Sequence, residues 1–204
     1  MGYKSIHSPI LQLSSTPIVQ RRRCAMNLEI IRNGKLTPQQ LRHQLQQEDT
    51  SDLRRRRGVI GLSLVGMASM TAVTLLQTGI VKHLPDPPFG NFDSDRVNSS
   101  DTAYRLGAPD GSISLATLAA NIPIAAFGGA NRAQTKPWVP LFAAVKAAGE
   151  ALAASWYFYQ MPGKEKAWCG YCILGAVANI GIAALTIPEA RKALAAVMSE
   201  TAAK

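Results

Sequence analysis

Arg54-Arg55-Arg56-Arg57 abuts Gly58-Val-Ile-Gly-Leu-Ser-Leu-Val-Gly-Met-Ala-Ser-Met-Thr-Ala-Val-Thr-Leu-Leu-Gln-Thr-Gly-Ile80, a run without a charge. As a helix rising about 1.5 Å per residue, it reaches about 34 Å, enough to cross a hydrocarbon core. Alone, such a run also suits the buried helix of a soluble protein. Three comparable segments follow, at 112–130, 137–160 and 167–187, and favour a membrane. The segment at 137–160 begins Pro137-Trp138 and ends Trp156-Tyr157-Phe158-Tyr159, aromatics of the kind that anchor at interfaces. The reading is an all-α integral membrane protein, a four-transmembrane-helix bundle behind a basic, largely disordered N-terminal tail.

Charge supports that division. Over 204 residues the formal net charge is +9, yet residues 1–57 carry eleven Lys/Arg against four acids. The mean hydropathy of +0.03 averages a polar tail and an apolar domain. Basic residues in the tail are not interleaved with aromatics, so nucleic acid is not an expected partner. Topology control is the better reading, and the positive-inside rule puts the N-terminus and Arg54–Arg57 in the cytoplasm. Arg132 and Lys136 agree with that orientation, whereas Lys164 and Lys166 oppose it mildly.

Domain boundaries follow. Residues 1–53 form the basic cytoplasmic tail, with a short helix near 38–47 opened by Thr37-Pro38-Gln39-Gln40 as N-cap, N1 proline and capping-box glutamine. Residues 54–190 form the four-helix membrane domain, its last span stopping at Pro188. Residues 191–204 form a surface helix or tail. An organelle transit peptide and a natural start at Met26 stay open for the first residues, while a cleaved secretory signal lacks its apolar region.

The chemistry concentrates in Trp168-Cys169-Gly170-Tyr171-Cys172, at the start of the fourth segment. A Cys-x-x-Cys pair opening a helix sets two thiols one turn apart. The first lies among unpaired N–H groups, where a thiolate is favoured. Reversible dithiol/disulfide chemistry fits. Half a zinc site and an inert buried pair are the alternatives, and Ile173 excludes c-type haem attachment. The topology puts the pair at the outer membrane boundary, facing a compartment where disulfides persist. Cys24, in the tail, reads as a free thiol.

Other polar residues have two readings each. Lys146 and Glu150, spaced i,i+4 inside the third segment, should pair and face the bundle, as proton supply to a ligand or as an interhelical staple. Asn121 and Asn179 read as helix–helix glue. The loop aspartates (86, 93, 95, 101 and 110) match no calcium-loop spacing, and no metal is expected. His83 reads as interfacial, and Trp168 as a belt anchor or a stacking partner for a ring.

These features together resemble the vitamin K epoxide reductase family, over roughly residues 54–190. In that family an aromatic-rich third helix is followed by Cys-x-x-Cys opening the fourth. Its first loop reads like Cys-x-x-Val-x-Ser-Ser, then an aromatic, then Gly-x-Pro. Here Ser94-Asp95-Arg96-Val97-Asn98-Ser99-Ser100, Tyr104 and Gly107-Ala108-Pro109 stand in those places. The resemblance implies a membrane oxidoreductase coupling a dithiol/disulfide to a lipid quinone of ubiquinone, menaquinone or phylloquinone type. Cys169 and Cys172 would be catalytic: Cys172 meets the quinone, and Cys169, nearer water, exchanges disulfides. Ser100, with Ser99 as the near alternative, matches the family's Ser/Thr beside the redox centre, and Asn121 its helix-two asparagine. Both would contact the substrate, and Trp168, as a stacking partner, would join them. The chain departs from the family where its loop cysteines fall on Ser94 and near Asp86, and where a tyrosine gives way to Ala176. A thioredoxin-like or other thiol protein acting in trans is the implied partner. A bacterial inner membrane is the implied location, with a thylakoid-type membrane as the other choice. The alternative function is a non-catalytic membrane module of the same fold, an assembly or lipid-binding partner.

Overall fold

A computed structural model describes residues 37–202. The disordered-tail expectation, Cys24 and Met26 lie outside the described residues. The chain divides between Gln39 and Gln40, and the packing below belongs to the unit that starts at Gln40.

The described residues are helical: α1 Pro38–Gln47, α2 Ser51–Gln77, α3 Ser94–Asn98, α4 Asp110–Ala126, α5 Arg132–Thr135, α6 Trp138–Gln160 and α7 Gly170–Ala202, with a π-helical turn, Met161–Glu165, between the last two. Arg57 closes α1, its Nη2 donating to the carbonyls of Leu45 (3.0 Å) and Glu48 (2.9 Å) that the helix end leaves unpaired. By length and composition, α2 and α7 can cross a membrane. The other two expected spans are less clear-cut: α4 has 17 residues, and α6 carries Lys146 and Glu150 midway.

Three boundaries differ from the sequence reading. Helix α2 begins at Ser51 because Thr50 caps it, its side chain accepting from Leu53 N at 3.2 Å. The arginine run is therefore helical. Helix α4 runs from Asp110 to Ala126, not over 112–130. Helix α7 does not stop at Pro188 but continues to Ala202. The proline removes one backbone hydrogen bond, a cost of about 3 kcal/mol in an isolated helix. Tertiary contacts offset it: Glu189 is buried between two arginines, Ala193 is buried, and Lys192 reaches Asp52 at 2.7 Å.

That carboxylate anchors one end of the bundle. Arg132 Nε and Nη2 donate to Glu189 Oε1 (2.9 Å) and Oε2 (2.8 Å), and Arg56 Nε donates to Oε1 at 3.1 Å. Spare guanidinium hydrogens reach the Phe127 (2.8 Å) and Gly129 (3.1 Å) carbonyls. Each buried charge is thus paired and hydrogen-bonded, the condition under which burial is tolerable.

Helices α7 and α2 together form the centre, α6 packing on α7 and α4 on α2. The buried face of α2 includes Ser63, Gly66 and Ser69, small enough for close helix approach. A Cβ on Gly66 would stand 3.0 Å from Leu118 Cδ1 and 3.2 Å from Ala178 Cβ, so that face is full. Ser63 donates to Val59 O (2.8 Å) and Ser69 crosses to Tyr171 O (2.8 Å). Large apolar side chains point outward, Val145 being 73% and Leu152 72% exposed. Helices α4 and α6 touch little, and the space between them becomes the cavity described next.

Candidate active site

The approach to the Cys-x-x-Cys pair is built by the loop that follows α2. Lys166 takes a left-handed conformation (φ 54°) and turns the chain out of the π-helical turn. Trp168 N then donates to Asn91 O (2.8 Å) and Asp93 N to Trp168 O (2.9 Å), an isolated parallel bridge. Trp168 packs its ring on Phe158 at 5.4 Å. It does not line the cavity; its backbone stitches the loop over the cysteines. Asp93 caps α3 through Arg96 N (2.9 Å), and so lays that short helix on the pair.

The loop has a second fastening. Asp86 accepts from Ser94 N (2.7 Å) and from Ser94 Oγ (2.6 Å). In the resemblance drawn from the sequence, one loop cysteine falls on Ser94 and the other near Asp86. A doubly hydrogen-bonded Asp–Ser pair therefore joins the two places without a thiol. Asp95 accepts from Leu84 N (2.9 Å) and pairs with His83. The hydrogen bond and charge of Asp95 push the exposed imidazole above its ordinary 6.5. His83, expected to be interfacial, is thus a loop fastener.

Cys169 and Cys172 stand at disulfide distance, their Cα atoms 5.2 Å apart. The expectation that Cys169 is nearer water is corrected: it is 0% exposed, beneath Val97, Met161 and Ala167. Cys172 is the partly exposed member, and it faces a cavity of about 430 Å³. The reason is the bridge through Trp168, which keeps the loop on top of Cys169. Cys172 N also donates toward Cys169 Sγ (3.1 Å).

Small residues leave room for that cavity: Gly149, Ala153 and Ala154 on α6, Gly175 and Ala176 on α7. Its size suits a small-molecule site, mostly apolar with a few polar groups. Asp110 stands on its wall with Cys172, and Lys146 and Glu150 also line it. Asn179 lines it too, with Nδ2 donating to Gly175 O (3.2 Å) and a buried Oδ1 that has no partner among the described residues.

Lys146 pairs with Glu150, as their spacing required, and donates to Asn121 Oδ1 (2.8 Å) and Thr117 O (2.9 Å). Asn121 Nδ2 donates to Glu150 Oε2 (3.2 Å). Asn121 is not on the cavity wall; it supports two residues that are. Ser100 lies along a side cavity of about 40 Å³ shared with Cys172, and its hydroxyl donates to Val97 O (2.8 Å).

Sequence reasoning missed Asn98 and Asp110. Asn98 Nδ2 lies 3.2 Å from Cys169 Sγ and Oδ1 lies 3.3 Å from Cys172 Sγ. Its backbone carbonyl accepts from Gln77 Nε2 (3.2 Å), which also donates to Asp110 (2.7 Å). The signal was an amide one helical turn after Ser94, inside the loop motif. Among the described residues, no group of three His, Cys, Asp or Glu is placed to hold a metal.

No curated protein and no solved structure matches the chain. The family model described as the vitamin K epoxide reductase family matches residues 58–187, which reach from the first turns of α2 past the cysteine pair. Members of that family are in general membrane oxidoreductases working between thiols and quinones. A Cys-x-x-Cys pair at the start of the last helix, roofed by the loop that follows α2 and opening through Cys172 into a bundle cavity, lies wholly within the matched segment, and the chain belongs to the vitamin K epoxide reductase family.

Proposed function

We infer that this protein couples the Cys169/Cys172 dithiol–disulfide to a lipid quinone, inside a bundle that crosses the membrane four times with the N-terminus in the cytoplasm. The observation that carries the reading is the opening of Cys172, and not Cys169, into the 430 Å³ cavity. Outward-facing apolar side chains on α6 and α7, such as Leu152 and Val177, support the membrane setting. The seat is a bacterial inner membrane or a thylakoid-type membrane.

In the oxidative direction, Cys172 S–H and Cys169 S⁻ give up two electrons and one proton to the quinone. A second proton comes from solvent, and a disulfide and a quinol result. Cys172 Sγ adds to the quinone ring and its proton passes to a quinone oxygen. Cys169 S⁻ then attacks Cys172 Sγ, so that the S–S bond forms as the bond to the ring breaks and the electron pair leaves with the quinol. The unpartnered acceptor of Asn179 suits a quinol hydroxyl, which can donate where a quinone cannot. Lys146 and Glu150 form the polar wall. A thiol protein acting in trans renews the dithiol. Because the loop covers Cys169, that exchange requires the loop to lift.

The test is quinol formation by the full chain in vesicles that contain quinone and a soluble dithiol. Wild type should turn over, and Cys172→Ser should fall by more than about 10³-fold, as removal of a nucleophile does. Equal rates in the two would sink the reading. The covered Cys169 and the absence of loop thiols favour the second reading, a non-catalytic module of the same fold; inactive wild type would support it.

A further inference from the structure

We propose that Asn98 is a catalytic residue that makes the two sulfurs inequivalent, holding charge on Cys169 and a proton on Cys172. The inference rests on the reading that the pair cycles between dithiol and disulfide. Its basis is one amide lying against both reacting atoms, with Nδ2 3.2 Å from Cys169 Sγ and Oδ1 3.3 Å from Cys172 Sγ. Asn98 is 2% exposed and lines the cavity beside Cys172.

The direction of the amide is fixed by a third partner. Nδ2 also donates to Ser94 O at 2.7 Å; turned over, the amide would set Oδ1 against that carbonyl. One N–H is therefore spent on Ser94 and the other aims at Cys169. Cys172 N–H, 3.1 Å from the same sulfur, is a second donor. Two donors converge on Cys169 Sγ, whereas Cys172 Sγ faces an acceptor. A thiolate suits the first site and an S–H the second.

Reduction of the disulfide then takes two electrons and one proton, breaks the S–S bond, and leaves Cys169 S⁻ and Cys172 S–H. In the return step Cys172 Sγ is first joined to the oxidant, the quinone or glutathione in a mixed disulfide. The Cys169 thiolate already sits where it must attack that sulfur and expel the quinol or the glutathione thiolate. Asn98 is carried by α3, which is pinned by Asp93 and by the Asp86–Ser94 contact. Here a hydrogen-bonded loop supplies an amide to the pair.

A thiolate accepts more strongly than a disulfide sulfur, so Asn98 favours the reduced state. The experiment is redox equilibration of the detergent-solubilised full chain with glutathione buffers, in a Cys24→Ser background, for wild type, Asn98→Leu, Asn98→Asp and Ser94→Ala. Asn98→Leu should shift the equilibrium toward the disulfide by on the order of tenfold, about 30 mV for this two-electron couple. Asn98→Asp, which keeps the shape but loses the donors and adds charge, should shift it at least as far. Ser94→Ala loosens the loop yet keeps the amide, and should stay within about twofold of wild type. Unchanged potentials in both Asn98 variants would overturn the proposal, as would a Ser94→Ala shift as large as that of Asn98→Leu. No quinone is present, so loss of quinone coupling alone leaves this result intact. A pair that glutathione cannot interconvert at all contradicts both readings.

Discussion

Glu189 lies between two buried guanidiniums, and removing its charge would strand both. Burial alone would push its carboxyl toward the neutral form, but hydrogen bonds from Arg132 and Arg56 oppose that. Glu189→Gln is expected to cost about 3–5 kcal/mol, because an uncompensated buried charge remains. Thermal unfolding in detergent would read this; a loss below about 1 kcal/mol would mean that the cluster is not the anchor described. His83 allows a pH prediction. Its folded pKa is raised by Asp95, so its help to the loop is fully present below the unfolded value and lost as pH rises through the folded one. The imidazole resonances should titrate above 6.5 in wild type and move back toward 6.5 in Asp95→Asn. Amide exchange in the 83–98 loop should quicken over that pH window. A wild-type midpoint at or below 6.5 would contradict the pairing. At this scale the sequence was only partly legible. The Lys146–Glu150 pair followed from i,i+4 spacing. The place of Asn98 did not, because it depends on a bridge between Asn91–Asp93 and Trp168, residues far apart in the chain.

Among the elements, α7 is the most informative. Pro188 pointed to a break, yet the helix continues because contacts from Arg56, Arg132 and Asp52 reach beyond the proline. Local propensity could not foresee partners supplied from other helices. Pro188→Ala should therefore raise stability, since it restores a backbone hydrogen bond without moving the helix; a fall in the unfolding temperature would contradict this. Helix α2 was more legible. Its apolar length was read directly, though its start at Ser51 required the Thr50 cap. Gly66→Val, which places bulk against Leu118 and Ala178, should cost about 1–3 kcal/mol by overpacking. A neutral Gly66→Val would mean that α2 and α7 do not approach as closely as described.

For the whole molecule, the apolar runs disclosed an all-helical domain, and the loop and Cys-x-x-Cys motifs disclosed the family. They could not disclose which cysteine lies under the loop. That depends on packing rather than on position along the helix, and the burial of Cys169 reverses the simple expectation. The proposed topology puts Phe89 and Met198, both exposed, on opposite sides of the membrane. With the native cysteines replaced, Phe89→Cys should react with an impermeant thiol reagent only from outside, and Met198→Cys only from the cytoplasm. Reaction of both from one side would overturn the orientation. The central claim, that the pair exchanges electrons with a membrane quinone, is tested most directly by thiol trapping in intact membranes. With quinone supplied, Cys169 and Cys172 should be recovered mainly as the disulfide; with quinone withdrawn and thiols present, mainly as the dithiol. A pair whose redox state does not change between the two conditions would contradict the account.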